Sequence, residues 1–494
     1  MIQTVENIGE KLVSMLTYDA SQPLIFSSGL FLFLFAGFLF FYGFTRRAPM
    51  ARIVYVILFS LYFYYKSSGI YFLLLVFASV SDYWIAHAIY KVRTQRAKYW
   101  LVGLSVLVNL GMLGYFKYTN FLIEIANNLF GQGFLNFQNI FLPVGISFFV
   151  FQSMSYTIDI CRGQLKPLNN WADYLFYLSF FPQLVAGPIV RAKDFIPQIR
   201  QNPLRVTREM FGMGVFLILI GLFKKAVISD YISLNFVDRI FDEPLLYSGF
   251  ECLMGIYGYA LQIYCDFSGY SDMAIGIALL LGFRFPKNFD APYKSATITE
   301  FWRRWHISLS TWLRDYLYIS LGGNRKGRIR TYFNLLVTML LGGLWHGAAV
   351  RFILWGALHG IALALHKLWL SVVPGSKATG AEMRWFWRIP GIFFTFNLVC
   401  FGWLMFRAES MKTVQLMLHQ IFTNFNPSVI PQVLEGYAGI FLLVGIGYLP
   451  HDRWAQRFVT SLPTVVQVLL AACVIWLVMQ VKSSDIQPFI YFQF

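Results

Sequence analysis

The chain is organised around a segment that runs from residue 301 to residue 347. It begins with FWRRWH at residues 301–306, continues through LGGNRKG at residues 321–327, and ends with LGGLWHG at residues 341–347. Two histidines, His306 and His346, each follow a tryptophan and bracket a densely basic segment. Apolar runs that can enter a membrane flank this segment, so we expect most of the remaining chain to be a membrane scaffold around it.

The composition of the whole chain is that of a membrane protein. Hydrophobic residues make up 57% of the sequence and charged residues 13%, whereas a soluble domain carries about 25% charged residues. Apolar segments of the length that a membrane-crossing helix requires recur from end to end. The sequence therefore predicts an all-α polytopic membrane protein with about 10–12 transmembrane helices, together with re-entrant or interfacial helices.

The net charge of +16 does not indicate a nucleic-acid partner, because the basic residues occur in short runs between apolar segments. The positive-inside rule places such runs in cytoplasmic loops. They also suit anionic lipid headgroups, or an anionic cytoplasmic ligand such as a nucleotide thioester. Basic loops at 45–52 and 91–96 follow the first and third predicted spans and together place the N-terminus outside.

Several element boundaries follow from the pattern. We expect a first span at 24–44, a pair of spans at 53–65 and 71–90, and a late helix start near Pro143 and Gly145. Residues 191–208 are expected to form a basic loop, and Lys224 and Lys225 are expected to end a span at 210–223. Acidic residues 230–243 are then expected outside, and short apolar pieces within 284–330 are expected to form re-entrant helices. We find no internal repeat, which argues against an inverted-repeat transporter.

His346 is the first candidate for chemistry. If the preceding segment is helical, Gly342 and Gly343 lie one turn before it on the same face. These glycines either leave room for a substrate beside the imidazole or allow close packing of two helices. Ionisable side chains inside membrane segments are functional candidates, and an imidazole with an ordinary pKa of about 6.5 can accept a proton at neutral pH.

His306 is the second candidate. At helical spacing it shares a stripe with Trp302 and Leu309, while Arg304 lies on another face, so residues 301–313 are expected to form one amphipathic interfacial helix. Its histidine is then either a functional group or a buried residue of a membrane anchor. The basic loop that carries Arg325 and Lys326 is, similarly, either a phosphate or carrier-protein site or a topological signal.

A polar cluster interrupts the apolar run at 250–282. Asp266 and Tyr270 are four residues apart and could pair, and a charge in such a place normally has a partner. We expect this cluster to line a tunnel or to form a structural network. The five scattered cysteines form no CxxC pair, and no zinc-ligand or nucleophile-elbow motif is present, so no metal is predicted.

The motifs around His306 and His346 resemble those of the membrane-bound O-acyltransferases. The resemblance is strongest to the bacterial branch that O-acetylates exopolysaccharides such as alginate, and it spans roughly residues 141–406. It implies a helical membrane fold with a thin centre reached by a funnel from each side. By the same resemblance, His346 is the family's essential histidine and His306 its second one.

The resemblance implies further roles and partners. Trp302, Trp305, Trp345, Gly342 and Gly343 would support the site together with Asp266 and Tyr270. Arg303, Arg304, Arg325 and Lys326 would hold the phosphates of the donor, which is expected to be acetyl-coenzyme A or an acyl-carrier-protein thioester, with no tightly bound cofactor. A periplasmic SGNH-type acetyltransferase is the expected protein partner, with the polysaccharide reached indirectly and membrane lipids around the helices.

The chain end, FIYFQF at residues 489–494, resembles the terminal motif of a small membrane peptide in teichoic acid D-alanylation. Tyr491 is therefore either an acyl relay or an aromatic anchor at the membrane interface.

We expect three regions: N-terminal membrane helices at 1–140, a catalytic core at 141–406, and C-terminal helices with the aromatic tail at 407–494. The predicted function is transfer of an acetyl group across a bacterial inner membrane for exopolysaccharide O-acetylation. D-alanyl transfer to a teichoic acid-type polymer and transport of a lipid-linked saccharide are the alternatives.

Overall fold

A computed structural model of the chain describes residues 10–11, 13–20, 22–45, 47–201, 204–373, 384–432, 435, 461–481 and 490. In this described part the secondary structure is helical, and no β-strand occurs among these residues. The predicted all-α fold is therefore confirmed. The chain forms two compact units, one from residues 1–214 and 274–286 with Ile490, and one from residues 215–273 and 287–485.

The first unit is built from membrane-length helices followed by shorter ones. Its helices are α1 (Gly29–Thr45), α2 (Pro49–Ser68), α3 (Phe72–Lys91), α4 (Gln95–Leu113), α5 (Thr119–Phe130), α6 (Ile146–Cys161), α7 (Trp171–Ser179), α8 (Phe181–Leu184) and α9 (Ala192–Ile199).

Two boundaries in this unit agree with the sequence pattern. Helices α2 and α3 each contain 20 residues and are separated by a short turn that starts at Gly69, whose φ is 59°. Helix α6 begins late, at Ile146, because Gly145 adopts a left-handed conformation with a φ of 75°. A Cβ at Gly145 would also stand 2.5 Å from the carbonyl oxygen of Leu184, so this turn requires glycine.

Buried polar side chains tie three helices of the first unit together. The carboxylate of Asp82 on α3 accepts hydrogen bonds from Ser105 at 2.7 Å and Asn109 at 2.6 Å, both on α4, and from Ser153 on α6. Because a buried carboxylate must be hydrogen-bonded, this network specifies how the three helices pack. One prediction in this unit was wrong: residues 191–208 are not simply a loop, since they contain α9.

The second unit carries the two histidines. Its helices, with α10 and α13 shared with the first unit along the chain, are α10 (Arg208–Leu222), α11 (Asp230–Ile232), α12 (Asp238–Asp242), α13 (Gly249–Leu280), α14 (Ile298–Arg304), α15 (Ile307–Trp312), α16 (Arg328–His346), α17 (Val350–Val372), α18 (Trp385–Arg407), α19 (Met411–Thr423) and α20 (Thr464–Val481).

The predicted helix end at Lys224 and Lys225 was wrong. The helix continues from α10 through a π-helical turn (Phe223–Ser229) and on to Asp242. Both lysines are neutralised by carboxylates: Lys225 Nζ lies 2.6 Å from Asp266 and 2.7 Å from Asp230, and Lys224 Nζ lies 2.7 Å from Asp272. Paired in this way, the ammonium groups do not require the helix to end, and the segment that carries Asp230 continues it.

Five segments of the described residues are long and apolar enough to cross a membrane. They are Pro49–Lys91, Gln95–Phe130, Arg208–Asp242, Val350–Val372 and Trp385–Arg407. By contrast α14 and α15 contain 7 and 6 residues, too few to cross, which agrees with the predicted short helices between 284 and 330. The predicted division into three regions remains a prediction.

Candidate active site

His346 is the last residue of α16, at the point where that helix meets the turn to α17. Its side chain is buried, with 4% exposure. Aromatic rings surround the imidazole, with centroids 4.9 Å away for Trp345, 5.1 Å for Trp355 and 5.2 Å for Phe406. These three rings stand nearly perpendicular to it, which is the edge-to-face geometry that aromatic rings prefer. The imidazole is therefore held in a defined orientation in an apolar setting.

The glycines before His346 pack closely against neighbouring helices. A Cβ at Gly343 would overlap the carbonyl oxygen of Phe352 and would stand 3.3 Å from Cα of Gly356, so α16 and α17 approach backbone to backbone. At Gly342 a Cβ would meet Leu313 Cδ1 at 3.2 Å. Of the two alternatives drawn from the sequence, close helix packing is the one observed at Gly343, as is common between membrane helices.

His306 does not lie within a continuous helix, so the predicted amphipathic helix over 301–313 was wrong. Helix α14 ends at Arg304, α15 begins at Ile307, and His306 between them has a φ of 42°. A non-glycine residue in this left-handed region costs of order 1–3 kcal/mol and is often found at functional sites. The break turns the imidazole into the protein, where His306 is fully buried.

Trp345 connects the two histidines. Its ring centroid lies 6.1 Å from that of His306 and 4.9 Å from that of His346. His306 also packs edge-on against Phe267 at 4.5 Å. The fold therefore places the two histidines, which are 40 positions apart in the sequence, beside the same indole.

The two tryptophans of the FWRRWH motif occupy different places. Trp305 is buried and packs against Trp403 at 4.9 Å and Phe289 at 5.1 Å. Trp302 packs edge-on against Trp355 at 5.7 Å. Both indoles thus lie among the aromatic rings near the histidines, and their supporting role in the site remains a prediction.

The basic residues of this segment differ in their surroundings. Arg303, Arg325 and Lys326 are exposed, and the last two follow a turn at Gly322 and Gly323, both of which have positive φ values. Their exposure is compatible with contact to a charged ligand.

Arg304, in contrast, is held by the protein itself. Its guanidinium lies 2.9 Å from the carboxylate of Glu300 and donates a hydrogen bond to the backbone carbonyl of Asp290 at 3.0 Å. Lys287 bonds the side chain of the same Asp290 at 2.9 Å and, together with Arg304, lowers the pKa of that carboxyl. Because Arg304 already has an acidic partner, it is less suited to phosphate binding than Arg303.

The polar cluster on α13 is a buried charge network. Asp266 has 2% exposure and pairs with Lys225, as described above. Tyr270, one turn further along α13, is also buried. This pairing places Asp266 in a network that joins α13 to the helix 208–242. Of the two roles predicted for the cluster, lining a tunnel or forming a structural network, the pairing agrees with the second.

One group near His346 was not singled out from the sequence. His359 lies on α17, four residues after Trp355, and is fully buried, with its ring centroid 4.7 Å from Trp355 and 5.3 Å from Trp302. His359 is not among the residues predicted from the sequence to carry chemistry. The Trp-x-x-x-His spacing of 355–359 was the available signal, since i and i+4 side chains share a helix face.

Two further points concern metals and the chain end. Within the ranges that the structure describes, no cluster of three or more His, Cys, Asp or Glu side chains is placed to hold a metal ion. Tyr491, the candidate acyl relay, lies outside the described residues, so its role remains a prediction.

Comparison with known sequences decides the family. The model of the membrane-bound O-acyltransferase family matches residues 164–410, which include α14–α18 and both histidines. The chain is also 44% identical over 406 residues to the probable alginate O-acetylase AlgI of Azotobacter vinelandii, covering 81% of this chain and 78% of that protein. The chain belongs to the membrane-bound O-acyltransferase family. It is therefore an acyltransferase and a multi-pass membrane protein.

The chain is also similar to proteins that are named for other transfer reactions. The peptidoglycan O-acetyltransferase of Helicobacter pylori is 37% identical over 428 residues, covering 80% of this chain and 79% of the relative. The teichoic acid D-alanyltransferase of Streptococcus thermophilus is 31% identical over 337 residues, covering 64% of this chain and 77% of the relative. Proteins similar to this chain thus carry names for acetyl and for D-alanyl transfer.

Proposed function

We propose that this membrane-bound O-acyltransferase moves an acetyl group from a cytoplasmic thioester across the inner membrane for O-acetylation of an exopolysaccharide. The observation that carries the proposal is the pair of buried histidines beside Trp345. The similarity to alginate and peptidoglycan O-acetylation proteins supports acetate as the group transferred and a polysaccharide as its destination.

The reaction requires one base and a polarised carbonyl. His346 takes the proton from the acceptor hydroxyl while the hydroxyl oxygen attacks the thioester carbon, so that a C–O bond forms. The C–S bond then breaks, and the imidazolium returns its proton to the leaving thiolate, which departs as a thiol. General-base catalysis of this kind contributes about 10²–10⁴-fold. His306, which lies beside the same indole, orients the donor or stabilises the oxyanion.

The donor is a phosphate-bearing thioester, either acetyl-coenzyme A or an acyl-carrier-protein thioester. Exposed Arg303, Arg325 and Lys326 would bind its phosphates or the acidic surface of the carrier, since cationic side chains favour such partners. Arg304 would position α14 through Glu300 and contribute its charge at longer range. No tightly bound cofactor is required for this chemistry.

The acceptor is reached from the other side of the membrane. In this proposal the protein lies in the bacterial inner membrane with its N-terminus in the periplasm, following the positive-inside rule. A periplasmic SGNH-type acetyltransferase receives the acetyl group and passes it to the polysaccharide, which the membrane protein itself contacts only indirectly.

D-alanyl transfer is the second candidate, supported by the similarity to a teichoic acid D-alanyltransferase. It uses the same bond changes with a different acyl group. The third alternative from the sequence, a saccharide transporter, lacks such support, because the chain belongs to an acyltransferase family.

The donor decides between the first two candidates. Inside-out membrane vesicles that contain the protein are supplied with [14C]acetyl-coenzyme A or with a D-[14C]alanyl carrier protein, and label in polysaccharide or in a periplasmic acceptor protein is counted. We expect label from the acetyl donor and none from the D-alanyl donor, with vesicles lacking the protein as the control. Label from the D-alanyl donor alone would reject acetate.

A further inference from the structure

Three buried polar side chains come together next to His346, in a region that the proposed reaction has not used. They are Trp302 on α14 and Trp355 and His359 on α17, and a fourth element, α18, closes the group with Gly402. We call these four residues the indole–imidazole box. Trp355 belongs both to the box and to the wall around His346, whose ring centroid lies 5.1 Å away.

The polar atoms of the box have no partner among the residues that the structure describes. The ring nitrogens of His359 and the Nε1 atoms of Trp302 and Trp355 are buried, and none has a hydrogen bond to a described group. Burial of such groups without a partner is costly, and most buried polar groups are hydrogen-bonded. Three such side chains in contact with one another therefore indicate a site that receives a hydrogen-bonding atom from outside the chain.

The donor pattern of the box determines which atom fits. An indole Nε1–H only donates, and a neutral imidazole offers one donor and one acceptor. All three side chains can thus donate a hydrogen bond to the same kind of partner, which is an oxygen atom that accepts hydrogen bonds. The faces around them are aromatic, with Phe301 stacked on His359 at 6.3 Å, so a small uncharged group suits the box better than a sugar with several hydroxyls.

Gly402 closes the box on the side of α18. A Cβ at Gly402 would stand 3.0 Å from His359 Nε2 and 3.4 Å from Trp355 Nε1. The two nitrogens therefore face the same glycine, and any side chain at position 402 would crowd both of them.

We propose that the indole–imidazole box binds the carbonyl oxygen of the acyl group and donates to it as the tetrahedral oxyanion forms. This rests on the proposed acyl transfer and deepens it: His359 and Trp355 hold the reacting carbonyl, His346 acts as the base, and His306 is left to orient the donor. Fixed donors aimed at a developing oxyanion act strongly in a site from which water is excluded.

The test compares variants of the box in the purified, full-length protein. His359→Phe keeps an aromatic ring but removes both nitrogens, and Gly402→Ala puts a methyl group between Nε2 and Nε1. We expect kcat for labelled acetyl transfer to fall about 10²-fold in each, with KM for the donor changed less than threefold. The matched control is His419→Phe on α19, an exposed histidine, for which wild-type kcat is expected.

A spectroscopic measurement separates carbonyl binding from a structural role. Acetyl-coenzyme A labelled with 13C at the carbonyl is bound to a His346→Ala protein, and the isotope-edited infrared band of the C=O stretch is recorded. Donated hydrogen bonds lower this frequency, so we expect it below that of the free donor, and back near the free value when His359→Phe is added. Thermal unfolding in detergent confirms that each variant is folded.

Other results of these experiments would contradict either the box or the proposed function. A folded His359→Phe protein with kcat within twofold of wild type, or a carbonyl band that His359→Phe does not move, contradicts the box while leaving the proposed function intact. If the carbonyl band of the bound donor equals that of the free donor in every variant, the box holds only internal water. That result also overturns the proposal that the box binds the carbonyl. A wild-type protein that neither binds nor uses the acetyl donor contradicts the proposed function itself.

Discussion

At the residue scale, the most informative position is His306, whose backbone and side chain can be tested separately. Its φ of 42° lies in a region that asparagine visits several-fold more often than most residues and that β-branched residues avoid. A substitution at this position therefore changes the backbone, the imidazole, or both.

We predict that His306→Asn folds normally but transfers acyl groups about 100-fold more slowly, because the donor loses its orienting contact. His306→Val, by contrast, is expected to lose activity and also to unfold at a lower temperature, since valine is strained at this φ. Acyl transfer and thermal unfolding in detergent are measured on both. Wild-type activity in His306→Asn would show that the imidazole has no role in the reaction.

The sequence made the two Trp-His pairs visible but did not predict the backbone conformation at His306. The Trp-His pairs at 305–306 and 345–346 are local patterns, visible without a structure. The left-handed turn at His306 depends on contacts of the residues that follow it, such as the hydrogen bond from the backbone N–H of Ile307 to the carbonyl of Asn288. Such a contact between distant positions leaves no periodic signal in the sequence.

At the element scale, the packing of α13 against the helix 208–242 rests on buried ion pairs. Lys225 and Asp266 have side-chain exposures of 3% and 2%, and Lys225 also bonds Asp230. Removal of one partner from a buried pair leaves a charge with no compensation, whereas exposed pairs contribute little.

We predict that Lys225→Met lowers the free energy of unfolding by about 3–5 kcal/mol. Lys224→Met is the matched control: Lys224 is adjacent in sequence but is 25% exposed and paired with Asp272, so a smaller loss is expected. Denaturation in detergent, followed by a packing-sensitive fluorescence signal, measures both. Equal losses in the two variants would mean that burial of the pair does not matter.

These ion pairs also explain why the end of a helix was harder to predict from the sequence than the presence of that helix. Apolar length identified the spans, as at 53–65 and 71–90. Two adjacent lysines in an apolar run are normally the end of a span, but here Asp266 and Asp272 of α13, together with Asp230, pair with them within the helix. The aspartates of α13 that pair with these lysines lie 40 or more positions away in the sequence. A prediction from neighbouring residues alone therefore does not detect them.

At the scale of the whole molecule, the proposed function requires the donor site and the acceptor site to face opposite compartments. The basic residues at 325–330 are expected in the cytoplasm, and the turn between the helix 208–242 and α13 is expected outside. Leu246 in that turn has 78% exposure, and Arg325 is also exposed, so both positions can be labelled.

We predict opposite labelling of Arg325→Cys and Leu246→Cys, each in a background in which the exposed Cys473 is replaced by serine. In intact spheroplasts a membrane-impermeant maleimide reacts with Leu246→Cys, whereas Arg325→Cys reacts only after the membrane is opened. The background protein without either new cysteine is the control. Labelling of Arg325→Cys from outside would invert the topology and remove the cytoplasmic donor site.

The proposed role of His346 as the base for acyl transfer can be tested by comparing rates between variants. Purified wild-type, His346→Ala and His419→Ala proteins are reconstituted in liposomes, and transfer of labelled acetyl from acetyl-coenzyme A to an acceptor is measured with equal amounts of folded protein. We predict that His346→Ala loses at least about 100-fold in rate, while His419→Ala keeps the wild-type rate. Transfer by folded His346→Ala at the wild-type rate would contradict the account.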